Sequence, residues 1–62
     1  MIWLNDGDKY RHRETGKVFT LNLDYNLLWY VSRRDSDGYT KSLSVTIPEM
    51  VKVLEEHYEK VE

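Results

Sequence analysis

Along this chain the spacing of apolar residues changes once, and that change constrains the fold more than any other feature. Phe19, Leu21 and Leu23 step by two, as do Leu27, Trp29 and Val31, and then Leu43 and Val45; Ile47, Met50, Val51, Leu54, Tyr58 and Val61 instead step by three, one, three, four and three. A period of two puts apolar side chains on one face of a strand, and a period near 3.6 puts them on one stripe of a helix. The chain therefore reads as strands first and one helix last. The helix start is marked by Thr46 as N-cap, Glu49 three residues on to complete a capping box, and Pro48 in the first turn, where a missing N–H costs nothing.

Three turn signals divide the strand region. In "RETGK" (13–17), Gly16 stands where a tight turn needs positive φ; "DYN" (24–26) follows the second apolar run; "DSDG" (35–38) ends the third with side chains that bond local backbone. Connections this short favour antiparallel neighbours. The expected class is α+β: an antiparallel meander of four strands, five if "MIWLN" (1–5) joins at an edge, with the C-terminal helix packed on one face. The helix is expected to cover the side of Phe19, Trp29, Tyr39, Leu43 and Val45. Val18, Thr20, Asn22, Leu28, Tyr30, Ser32, Thr40, Ser42 and Ser44 then face outward. The first strand adds either Tyr10 and His12 or Lys9, Arg11 and Arg13, because a one-residue slip exchanges the faces.

With 62 residues and no cysteine, the chain forms a single domain held by packing alone, without disulfides or thiolate zinc sites. Its eight aromatic residues, two Trp, five Tyr and one Phe, supply the bulk that a miniature core needs. The longest apolar runs span only a few residues, too short for a membrane span or a secretory signal, so a cytoplasmic protein is expected.

Motifs for chemistry are nearly absent. His12 and His57 have no second histidine at helical spacing, and no metal or cofactor is expected. "DSDG" opens like a calcium loop, but Tyr39 to Val45 contains no acid to complete one. Glu55, Glu56, Glu59 and Glu62 read as a solvated helix face, partly paired with Lys52 and Lys60. No phosphate loop or nucleophile elbow occurs, and an enzyme is not expected.

The net charge is −2. The basic residues of the body nevertheless cluster, with Lys9, Arg11, Arg13 and Lys17 around His12, and Arg33 and Arg34 farther on. Two binding functions follow. The first is an accessory or host-modulating module whose flat, hydroxyl-rich face engages a partner protein. The second is a single-stranded nucleic-acid binder with Tyr10 or Tyr30 as stacking platforms and Arg11, Arg13, Lys17, Arg33 and Arg34 near phosphates. The uncovered face also permits a homodimer, although a monomer is expected.

Two resemblances accompany this reading. "GDKYRHRETGKVFTL" (7–21) resembles the opening of short uncharacterised proteins encoded by bacteriophages and prophages, which implies a source. The strand order, the "KSLSV" strand and the capped terminal helix of residues 17 to 60 look like the single-stranded-DNA-binding domain of the transcriptional coactivator family. In that family the DNA-facing side is basic, a role that Lys17, Arg33, Arg34 and Lys41 would fill here.

Overall fold

The computed structural model describes residues 3–61. It runs β1 (Lys9–His12), β2 (Val18–Leu23), β3 (Trp29–Asp35), β4 (Gly38–Lys41), α1 (Ile47–His57) and β5 (Tyr58–Val61). All pairings are antiparallel, in one open sheet of order β4-β3-β2-β1-β5. The class read from the sequence is present: a hairpin meander over β1 to β4 and one helix against a single face.

The fifth strand lies at the C-terminal end. Trp3, Leu4 and Asn5 form no strand, and Met1 and Ile2 lie outside the described residues. The helical stripe was expected to reach Val61, but α1 stops at His57 and β5 pairs with β1, Tyr58 opposite His12 and Glu59 opposite Arg11. Tyr58 and Val61 fit a helical stripe by spacing alone. The outer edge of β1 decides otherwise, because it offers backbone donors and acceptors that a fourth helical turn would leave unpaired. Glu59 is accordingly a strand residue, and Glu62 is not among the described residues. Helix α1 is the crossover from the β4 edge to the opposite edge.

The core consists of Tyr10, Leu21, Trp29, Val31, Met50, Leu54 and Tyr58, with Leu4, Phe19 and Val45 packed against it. Helix α1 contributes Met50 and Leu54, while its first apolar residue, Ile47, is exposed. Thr46 is the N-cap residue, yet its hydroxyl donates to the Glu49 carboxylate at 3.0 Å and caps no amide. The expected capping box is thus replaced by a side-chain pair.

The turns explain the meander. Gly16 has φ 74°, and its amide donates to the His12 carbonyl at 2.8 Å. In the second hairpin Asp24 Oδ1 accepts from the amides of Asn26 (2.8 Å) and Leu28 (3.2 Å), which holds Leu27 at φ 64°. Leu27 is therefore part of a turn and not of the third strand, which begins at Trp29.

Strand β4 corrects the expected pattern most. The two-residue connection pairs Asp35 with Gly38, so Tyr39 lies opposite Arg34 and Thr40 opposite Arg33. Tyr39 consequently belongs to the uncovered face and Thr40 to the helix side, the reverse of the assignment by alternation. Beyond Lys41 the ladder breaks: the Ser42 hydroxyl accepts the Val31 amide at 3.0 Å, and pairing resumes only at Val45 opposite Trp29. This irregular passage turns Leu43 outward, 86% exposed, and removes it from the core.

Candidate functional site

Residues paired across neighbouring strands project to the same side of a sheet. Register thus sorts every strand side chain between the helix-covered face and the uncovered one. Lys41 of β4, Ser32 of β3, Thr20 of β2 and Lys9 of β1 form one transverse row on the uncovered face. A second row carries Tyr39 opposite Arg34 on one side, and Val18, Arg11 and Glu59 on the other. Asn22 opposite Tyr30 begins a third.

Contacts within this face hold its side chains. Lys9 donates to Thr20 at 2.8 Å, and Asn22 donates to Ser32 at 2.8 Å. Arg11 and Glu59 form an exposed ion pair at 2.9 Å. The Lys41 ammonium lies 4.3 Å from the Tyr30 ring centroid, and the Arg34 guanidinium lies 5.3 Å from that of Tyr39. Among the described strand positions of this face there are four cations, Lys9, Arg11, Arg34 and Lys41, against one carboxylate, Glu59. Asp24 stands at its margin. Burial pushes the Asp24 carboxyl up, but the amides of Leu28 and Asn26, the Ser44 hydroxyl and the Lys41 charge together bring it below its usual range.

On the opposite side the strands carry Arg33 and Lys60, and the acids are concentrated on the helix. Helix α1 exposes Glu49, Glu55 and Glu56 and a single lysine, Lys52. A chain that is slightly acidic in total thus presents a basic sheet face and an acidic helix face.

The residues expected to bind from sequence divide accordingly. Arg11, Tyr30 and Arg34 stand on the uncovered face. Tyr10 does not: it is 1% exposed within the core, because β1 takes the register that turns Tyr10 and His12 toward the helix side. A surface stacking role for Tyr10 is therefore excluded. Arg13 is engaged in structure, its Nε donating to the Tyr58 carbonyl at 2.9 Å. Arg33 lies on the helix side, paired with Asp35 at 2.9 Å, and that guanidinium holds the Asp35 carboxyl below the usual range. Lys17 sits at the β1–β2 turn and lines a concavity of about 360 Å³ with Phe19 and Thr40, also on the helix side. Lys9, Tyr39 and Lys41 complete the uncovered face; the short "DSDG" connection was the signal that could have placed Tyr39 there.

Two further groupings arise only in three dimensions. The rings of His12 and His57 lie parallel with centroids 6.5 Å apart, and His12 meets Tyr58 edge-on at 4.9 Å. Among the described residues, no three His, Cys, Asp or Glu side chains are grouped so as to hold a metal ion. Burial raises the hydroxyl pKa of both Tyr10 and Tyr58, and the Tyr10 hydroxyl has no hydrogen-bond partner among the described residues. No described helix is long and apolar enough to cross a membrane. No family model, curated protein or solved structure matches the chain.

Proposed function

We propose that the chain is a small non-catalytic binding module whose uncovered sheet face takes a single-stranded nucleic acid. The observation that carries this reading is the sorting of charge by face: at the strand positions of this surface four cations and two tyrosines stand with one carboxylate, Glu59, which is paired with Arg11, and Asp24 lies at the margin near Lys41. Phosphates supply the complementary charge, and bases supply rings for Tyr30 and Tyr39. An overall charge of −2 does not oppose this, since the acidic helix lies behind the sheet and exposed charges more than about 10 Å apart are largely screened at 0.1 M salt. A phage or prophage source and a cytoplasmic setting suit such an accessory role. Titration of a fluorescent twelve-nucleotide oligothymidine at 20 mM and 200 mM salt tests the reading. Binding that weakens steeply with salt is expected, and no binding at 20 mM would reject it.

A partner protein is the second reading, favoured by a separate observation. Tyr25 is 95% exposed and Leu27 73% exposed at the β2–β3 turn, with Leu43 equally bare on the segment after β4. Exposed apolar groups that are not scattered singly mark protein contacts. Replacing Tyr25 and Leu27 with Ser would abolish such binding and leave oligonucleotide affinity unchanged.

The sheet edges do not favour self-association. They are β4 and β5, each four residues long, and β5 carries Glu59 and Lys60, features that oppose edge pairing. Strand β1, with its basic residues, is interior. Sedimentation equilibrium should return a mass near 7.5 kDa across concentrations, and a mass near twice that would show the edges or the open face to be self-occupied.

A further inference from the structure

We propose that the nucleic-acid strand crosses the sheet at right angles to the β-strands, from the β4 edge to β1, and does not follow the β3–β4 hairpin. The inference rests on the binding reading above and adds the path. Its basis is the register. Lys41, Ser32, Thr20 and Lys9 occupy one transverse row that ends at Val61 on β5, so cations stand on β4 and β1 with small hydroxyls between them. At about 4.8 Å per strand the row spans about 14 Å from β4 to β1. In the neighbouring row Arg34 stands on β3 opposite Tyr39, and Arg11 stands on β1 opposite Val18 and ion-paired to Glu59 of β5 at 2.9 Å.

A backbone laid across these rows meets Lys41 and Arg34 at the β3–β4 end, Ser32, Thr20 and Val18 in the middle, and Lys9 and Arg11 on β1. A path along the hairpin would instead meet Lys41, Arg34 and their tyrosines, and would leave Lys9 and Arg11 with no role in binding. The two tyrosines sit at the β3–β4 end, so stacking belongs to one end of the footprint and charge alone to the other. The site is therefore polar: one end reads rings and phosphates, and the other, where a phosphate competes with Glu59 for Arg11, reads only phosphates. Lys41 over Tyr30 and Arg34 over Tyr39 are also stored in ready positions, since an incoming base takes the ring while the displaced cation turns to the adjoining phosphate.

The test uses the full chain and the same oligothymidine, with circular dichroism confirming that each variant folds. Three double variants separate the outcomes: Lys9→Gln with Arg11→Gln, Arg34→Gln with Lys41→Gln, and Lys52→Gln with Lys60→Gln as a control away from the uncovered face. The crossing path predicts that each of the first two pairs lowers affinity roughly tenfold at 20 mM salt and reduces the salt slope by about two, one for each cation no longer facing a phosphate. The control pair should change neither beyond twofold. Loss of affinity in the Arg34 and Lys41 pair alone would overturn the crossing path in favour of the hairpin path. No effect of either pair, with the wild-type chain still binding, would overturn it in favour of another surface. Failure of the wild-type chain to bind at all would reject the underlying function and is distinguishable from both.

Discussion

The guanidinium of Arg13 donates to the carbonyl oxygen of Tyr58 at 2.9 Å, at the residue where helix α1 gives way to strand β5. The Arg13 amide donates to the His57 carbonyl, also at 2.9 Å. The first hairpin thus supplies the acceptors at the end of the helix with the donors that helical geometry no longer provides. A cation there also complements the negative end of the helix dipole.

Arg13→Ala should therefore lower unfolding free energy by about 1 kcal/mol, the upper range for charged donors being reduced by exposure. Urea denaturation reads this as a lower midpoint with an unchanged slope. Oligonucleotide affinity should stay the same, because Arg13 does not stand on the uncovered face. An unaltered midpoint would show that the backbone bond alone holds the junction.

Ser42 takes the place of a ladder carbonyl. Its hydroxyl accepts the amide of Val31, a residue only 2% exposed, at the point where β4 leaves β3. Ser42→Ala would leave that amide without an acceptor at a cost of about 1–3 kcal/mol, read in the same denaturation assay. Ser42→Thr, which keeps the hydroxyl, should recover most of it.

Leu27 is the only non-glycine among the described residues with positive φ, at 64°, and its side chain is mostly in solvent. The left-handed conformation strains a leucine, and nothing buried compensates for it. Leu27→Gly and Leu27→Asn should each raise stability by about 0.5–1 kcal/mol, Gly gaining less than its relief of strain because it also loosens the unfolded chain. A thermal melt showing a lower midpoint for both would mean that the Leu27 side chain makes a stabilising contact.

Alkaline pH should destabilise the fold. Burial raises the pKa of Tyr10 and Tyr58 above the ordinary tyrosine value of 10.0. Above that pH the unfolded chain loses these protons while the folded chain retains them. The unfolded state then binds fewer protons, and stability falls as pH rises; below that value the contribution is complete. Urea midpoints should be equal at pH 7 and 8.5 and lower at 10.5. Tyr10→Phe should reduce the decline and, by removing a buried hydroxyl without a partner, should cost nothing at pH 7. A marked loss at pH 7 would show that the hydroxyl is bonded.

The sequence by itself determined the order of elements, the helix start at Thr46 and the positions of the three turns. These depend on local spacing and on residues such as Gly16 and Asp24, whose preferences act within a few bonds. It also determined that Tyr30 belongs to the uncovered side, since alternation carries through β3, whereas Arg33 and Arg34 were separated only by the pairing with Thr40 and Tyr39. Tertiary structure decided the rest. Tyr58 and Val61 are spaced as on a helix, and only the unpaired edge of β1 made residues 58 to 61 a strand, with Tyr58 toward the helix side and Val61 opposite Lys9 on the uncovered face. Tyr10 and Arg11 were interchangeable until pairing with Phe19 and Val18 set the register of β1. Tyr39 moved to the uncovered face because a two-residue connection placed it opposite Arg34. The net charge of −2 concealed a basic surface for the same reason: a sum along the chain holds no information about which side of a sheet each charge occupies, and a shift of one residue in register exchanges the sides.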